Sequence, residues 1–275
     1  MRSMKKLKRI AYLLLPLPVG AAALAEDKSI RIGYAQCAAL AQSPPAISEK
    51  AAKFKWYFAH ASVGANMLDG LADLGKSDSA SFPYTIVSAD ETPPPKTQPG
   101  AVYEHNRGNP SWQNKFDQFE SCVSNGWHAP AVDIVMNKLC YIDQLASYKY
   151  YIRSMTNLEA AFPDTVFVYM TMPLTTATDA ENALRHAFNE RVREWTHANG
   201  RVLFDIADIE AHDSKGQPCT FSHRNKTCQK LCESYTSDGG HLNETSRQLV
   251  ARGFYALAVA LEERKGKSPA LNATR

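Results

Sequence analysis

The apolar residues of this chain gather in short runs, and between the runs they recur at helical spacing. Trp56–Ala59, Tyr84–Ser88, Val132–Leu139, Thr165–Met170 and Arg201–Asp205 are brief, rich in β-branched and aromatic residues, and bounded by polar ones, as buried strands are. Val63, Met67, Leu68, Leu71 and Leu74 instead mark one helix face, as do Leu184, Phe188, Val192 and Trp195 within Ala180–Ala198. Tyr148–Ala161 and Glu244–Glu262 read as helices too, the latter carrying Leu249, Phe254, Leu257 and Val259. Strands alternating with helices predict an α/β fold, a three-layer α/β/α sandwich around a five-stranded parallel sheet. No internal repeat and no second domain emerge, and residues 53–265 are expected to form the single domain. Ligands of such sheets bind beyond the carboxyl ends of the strands. Ser62, Asp143 and the segment Asp238–His241 fall there.

The ends of the chain read differently. Arg2, Lys5, Lys6, Lys8 and Arg9 precede an apolar stretch that closes on Ala23-Leu-Ala25, the three-part pattern of a signal peptide over residues 1–25. The protein is therefore expected to be secreted or periplasmic, with no stable membrane insertion after cleavage. Residues 26–52 read as a leader or linker, with a short strand option at Ile30–Tyr34. Residues 266–275 read as a disordered basic tail. A Pro-rich loop runs through Pro93, Pro94, Pro95 and Pro99 and suits a surface role or a site wall. The net charge of +3 is accounted for by the N-terminal basic residues, so a nucleic-acid partner is not expected. A monomer is expected.

Export changes how the cysteines read. All six lie beyond residue 25, an even number in an oxidising compartment. Cys219, Cys228 and Cys232 crowd a polar insert at about 211–234, which suggests a local disulfide there. The rival reading adds His223 to make a zinc site, but the spacing matches no common ligand pattern. The sequons at Asn225, Asn243 and Asn272 matter only in a host that glycosylates exported proteins, and a glycan at Asn243 would obstruct His241.

Asp238 precedes His241 by three residues, so one loop can supply a base and the carboxylate that orients it. The nucleophile such a pair needs is Ser62, at the end of the run Trp56–Ala59 and just before a helix. Each residue also has a plainer reading: Ser62 as a helix cap, Asp238 as a turn residue before Gly239-Gly240, His241 as a surface histidine. Together they make a Ser-His-Asp acyl-transfer site, and no cofactor or metal is expected. Asp205, Asp208 and Glu210 form an acidic cluster that suits loop acids or helix caps better than a metal site. Trp112 and Tyr141 offer either a stacking platform for a sugar ring or ordinary core packing.

With these residues the chain resembles the SGNH (GDSL-like) hydrolase family from about Phe54 to Glu262. Ser62 matches the family's nucleophile, with His60 and Ala61 where the family has Gly and Asp. Asp238 and His241 match the late Asp-x-x-His block in full. Asn106-Arg-Gly-Asn109 resembles the second block, which implies Gly108 as an amide donor. The third block departs, because Ile142 aligns with the family's asparagine and Cys140 with its glycine. Asn109, Asn137 and Lys138 are candidate substitutes for that donor. The resemblance implies a flavodoxin-like SGNH fold and a serine esterase acting on small acyl groups, carbohydrate-borne ones foremost. Its oxyanion hole would draw on Ser62, Gly108 and Asn109, while His60, Asn106, Tyr141 and Asp143 would border the substrate. The expected partner is an acylated small molecule or polysaccharide. Two alternatives stay open: an O-acetyltransferase using the same acyl-enzyme, and a non-catalytic module that binds envelope polysaccharide on the same fold.

Overall fold

The structure, a computed structural model, describes residues 28–43, 47–89, 96–126 and 132–267. The signal-peptide segment and residues 268–275 of the expected tail lie outside the described residues.

Seven parallel strands form the main sheet: β1 (Ile30–Ile32), β2 (Trp56–His60), β3 (Thr85–Ser88), β4 (Ala101–Asn106), β5 (Ile134–Asn137), β6 (Val166–Met170) and β7 (Val202–Phe204). Their spatial order is β1-β7-β6-β5-β2-β4-β3. Every residue of β2 is buried, because the strand is paired on both edges and covered on both faces. Trp56 and Phe58 face one core, and Tyr57 and Ala59 face the other.

The first core is closed by α1 (Tyr34–Gln42), α2 (Val63–Ser77) and the long C-terminal helix. Met67 and Leu71 of α2 meet Phe254 and Leu257 there. The second is closed by α3 (Trp112–Asn125), α4 (Tyr148–Ala161) and α5 (Ala180–Ala198), through Phe116, Phe119, Tyr151, Met155, Phe188 and Val192. A short α6 (Ile206–Glu210) follows β7, and α7 (Glu244–Lys267) ends the described chain. The α/β/α sandwich is as expected, but the sheet has seven strands, not five.

Both additional strands have a physical origin. β4 carries Glu104, His105 and Asn106 at its end, which reads as loop. Pairing with β2 and β3 on either side, and contact between Glu104 and His60, accommodate those polar residues in the sheet. β1 lies in the segment expected as a leader. It pairs with β7, while Ile32 and Cys37 enter the core, so residues 30–42 belong to the domain. The last helix likewise runs to Lys267, two residues into the expected tail.

The insert forms a small antiparallel hairpin, β8 (Thr220–His223) with β9 (Lys226–Gln229). A Cys219–Cys232 disulfide closes its base. The bridge takes two of the cysteines that the zinc reading required.

β2 is the pivot of the sheet. The chain runs from β2 to β3 and β4 on one side, then crosses to β5 on the other. In open parallel sheets the crevice opens at such a reversal, beyond the carboxyl ends of the strands. Here that is the turn after His60.

Candidate active site

Ser62 sits in the two-residue turn between β2 and α2 with φ 57° and ψ −117°. A serine at positive φ is strained, and strain of this kind is tolerated where the surrounding structure holds it. As the residue before α2, Ser62 occupies the capping position but makes no side-chain cap bond. Its Oγ lies 2.6 Å from His241 Nε2 instead. The turn also needs Gly64, because a Cβ there would come within 2.4 Å of His60 Cβ.

His241 Nδ1 lies 2.6 Å from Asp238 Oδ2. The other carboxylate oxygen accepts the backbone N–H groups of His241 at 2.8 Å and Gly240 at 2.9 Å, and the Thr236 hydroxyl at 3.1 Å. The backbone bonds lead in holding the Asp238 carboxyl well below the usual carboxylate range. An ionised Asp238 that accepts from Nδ1 leaves Nε2 free to take a proton from Ser62. Asn66, one turn into α2, accepts the Leu242 amide at 3.1 Å and so ties the histidine loop to the helix behind the serine. The Thr176 amide reaches Gly239 O from the loop after β6. The side chains of Asp238 and His241 are 53% and 41% exposed, so the dyad opens to solvent.

Tyr141 leans edge-on against His241, with ring centroids 5.6 Å apart. Gly240 permits the approach, since a Cβ there would lie 2.9 Å from the tyrosine ring. Arg185 Nε donates to Tyr141 O and anchors this segment to α5. A cleft of about 440 Å³ adjoins the dyad, bordered by Tyr141, Ile142, Thr176, Asp179, Glu181 and Asp238. Pockets of this size hold small ligands.

The other candidate residues divide. Asn106 is in register with His60, so Gly108 follows β4 at the same step at which Ser62 follows β2. Gly108 has φ 68°, and its amide donates to Asn106 Oδ1 at 3.3 Å. Asn109 is exposed, and its Oδ1 accepts Lys115 Nζ at 3.3 Å, which leaves its amide N–H groups as the donors.

Asp143 is buried and turned away from the cleft. Its Oδ2 accepts Lys115 Nζ at 2.6 Å and the Cys140 amide at 2.7 Å. Ile142, the residue aligned with the missing asparagine, is 51% exposed and borders the cleft. His60 is buried, with Nε2 2.8 Å from Glu104 Oε2. Burial lowers the His60 pKa despite the carboxylate, and the bond to His60 lowers that of Glu104. The pair is therefore a neutral imidazole donating to an ionised Glu104.

Of the two proposed substitutes on β5 and its end, Asn137 is buried, with neither side-chain atom partnered among the described residues. Lys138 is fully enclosed and donates to Leu139 O at 3.0 Å. Trp112 packs edge-on against Tyr150 beside the second core, away from a stacking role.

The acidic cluster is an anchor. Asp205 is buried against Arg31 and Arg193 and caps α6. Asp208 accepts the Tyr34 amide and pairs with Arg31. Glu210 Oε2 accepts the Leu174 amide at 2.7 Å, and burial pushes its pKa up to about 8.

No protein-family model matches the sequence, and no curated protein matches it at significance. Solved structures do match its shape. A protein from Bacteroides fragilis NCTC 9343, assigned as an acylhydrolase, aligns over 83% of this chain and 95% of its own, at 14% identity and a TM-score of 0.50. A GDSL-like lipase from Bacteroides thetaiotaomicron VPI-5482 aligns over 86% of this chain and 100% of its own, at 10% identity and a TM-score of 0.47. A catalytic mutant of an acetylxylan esterase from Geobacillus stearothermophilus aligns over 81% of this chain and 97% of its own, at 10% identity and a TM-score of 0.47. The first of these carries the comparison, and it shows that the chain shares that protein's fold, a parallel sheet covered by helices on both faces.

Proposed function

We propose that the protein is an exported serine esterase of the SGNH family. The observation that carries this reading is the unbroken chain from Ser62 Oγ to His241 Nε2 and from His241 Nδ1 to Asp238 Oδ2, each link 2.6 Å. Ser62 attacks an ester carbonyl while His241 takes its proton, and Asp238 fixes the tautomer and stabilises the imidazolium. The protonated His241 then passes its proton to the leaving alcohol. Water, deprotonated by the same histidine, releases the acid from the acyl-enzyme. Amides of Ser62 and Gly108, the latter turning from Asn106 Oδ1 to the substrate, with the Asn109 side chain, are the proposed oxyanion donors. Likeness in shape to a protein assigned as an acylhydrolase is consistent with this chemistry.

The proposed substrate is a small acyl group, acetate foremost, on a carbohydrate. Support comes from the cleft beside the dyad, where Thr176, Asp179 and Glu181 offer hydrogen-bonding groups and Tyr141 an aromatic wall. Export rests on the three-part pattern of residues 1–25, and the Cys219–Cys232 bridge suits an oxidising compartment. The test is acetate release from acetylated oligosaccharides set beside nitrophenyl acetate. Wild type should favour the sugar esters in kcat/KM, and Ser62→Ala should lose both activities. Folded wild type that releases acetate from neither would overturn the proposal.

A further inference from the structure

Three cations lie buried around the turn that presents Ser62: Arg107, Lys115 and Lys138. Placing a charge in the interior without a partner costs roughly several kcal/mol. Lys115 is matched by Asp143 at 2.6 Å. Arg107 and Lys138 have no such match among the described residues. Nε and Nη1 of Arg107 are enclosed without a hydrogen-bond partner there.

The carboxylates of the neighbouring elements are committed elsewhere. Glu104 on β4 accepts from His60, Asp143 holds Lys115, and Glu210 retains its proton at neutral pH. Burial lowers the pKa of Lys138 as well, so the positive charge beneath the nucleophile is that of the Arg107 guanidinium.

The path of the Arg107 side chain places that charge. Arg107 follows β4, and its Nη2 donates to Lys138 O, at the end of β5. β2 lies between β4 and β5 in the sheet, so the guanidinium crosses the carboxyl end of β2, where Ala61 and Ser62 turn. Backbone bonds fix both flanks, Arg107 N to His60 O at 3.1 Å and Lys138 N to Ala59 O at 3.0 Å. The Cys140 thiol, 3.6 Å from Lys138 Nζ, donates weakly to Ala61 O.

We infer that Arg107 makes up, through its field, part of the stabilisation lost with the third-block asparagine, its unpaired charge favouring the negative charge that develops on the substrate carbonyl oxygen. The inference rests on the esterase reading above. In the step concerned, a bond forms between Ser62 Oγ and the carbonyl carbon, the carbonyl π pair moves to oxygen, and the serine proton goes to His241 Nε2. Collapse of that adduct returns the pair and breaks the bond to the alcohol, which leaves with the proton. Arg107 is enclosed and does not touch the reacting atoms. It is a positioning residue, acting through its field in a medium of low dielectric and through the loop ends it joins.

The experiment compares wild type, Arg107→Lys, Arg107→Gln and Ser62→Ala on nitrophenyl acetate and in binding of phenylboronic acid. The boronate becomes a tetrahedral anion when Ser62 adds to boron, so its affinity reads oxyanion stabilisation apart from turnover. Arg107→Gln keeps a hydrogen-bond donor for Lys138 O but removes the charge. It should lower kcat by ~10- to 100-fold with KM little changed, and boronate affinity should fall in parallel. Arg107→Lys should keep both within ~5-fold of wild type. Equal impairment in the two variants, or an unimpaired Gln variant, would overturn the inference. If the Gln variant melts before assay, Arg107→Lys decides alone, since a folded Lys variant without boronate affinity contradicts a role for charge. Wild type that neither hydrolyses the ester nor binds the boronate would instead overturn the esterase reading, whatever the Arg107 variants do.

Discussion

Ser62 Oγ and His241 Nε2 meet at 2.6 Å across 179 positions of sequence. The contact depends on β2 delivering Ser62 to the carboxyl edge of the sheet and on the loop before α7 folding back over that edge. Asp238 extends this contact with four bonds of its own, two of them to the backbone.

The first prediction concerns Asp238. In Asp238→Asn the amide oxygen can still accept from the backbone, but the side chain no longer enforces the tautomer that leaves Nε2 as acceptor. A drop in kcat of ~10³- to 10⁴-fold with KM nearly unchanged is expected, measured on nitrophenyl acetate. Thermal stability should change little, because the carboxyl group is half exposed.

Two glycines separate packing from chemistry. Gly64→Ala forces a methyl group against His60 within the first turn of α2, and a loss of about 1–3 kcal/mol in a denaturant titration is expected. Gly240→Ala displaces the Tyr141 ring beside His241. Its expected signature is lower kcat/KM with a melting temperature near that of wild type.

The Lys115–Asp143 pair is buried and ties α3 to the loop after β5, while Lys115 also reaches Asn109 in the loop after β4. Lys115→Met leaves the buried Asp143 carboxyl without its partner, at an expected cost of about 3–5 kcal/mol. The double variant Lys115→Met/Asp143→Leu removes both charges and should recover much of that loss. A double-mutant cycle in urea reads the coupling.

Glu210 gives stability a pH dependence of known sign. Its carboxyl is raised from 4.5 to about 8 in the folded chain, chiefly by burial. Between those values the folded protein holds a proton that the unfolded chain releases, so the stabilisation is complete below about 4.5 and is lost as pH rises toward about 8. The slope for this one group is about 1.4 kcal/mol per pH unit. Glu210→Gln keeps an acceptor for the Leu174 amide and should flatten that slope, measured as melting temperature at pH 5 and pH 8.

Much of this fold was legible because its strands are buried on both faces. Continuous apolar runs such as Trp56–Ala59 and Thr165–Met170 announce themselves, and helices with one apolar face announce the layers between them. β4 was not legible, because Glu104, His105 and Asn106 look like loop until His60 and the neighbouring strands supply their partners. β1 has only three residues, and its place follows from pairing with β7, a contact no local pattern encodes.

The site divides the same way. Asp238 and His241 share one loop, so spacing alone links them, whereas Asn66, Arg185 and Arg107 matter through contacts distant in sequence. Asp143 lay at the right edge of the sheet, but position could not show that Lys115 turns it inward.

The central claim is that Ser62 is a nucleophile activated by His241. Covalent labelling with a fluorophosphonate tests it most directly, comparing wild type, Ser62→Ala and His241→Ala, each shown to be folded by its melting curve. The account predicts one equivalent of label on wild type, located at Ser62 by peptide mass, and none on either variant. Folded wild type that takes no label, or label that persists in Ser62→Ala, would contradict it.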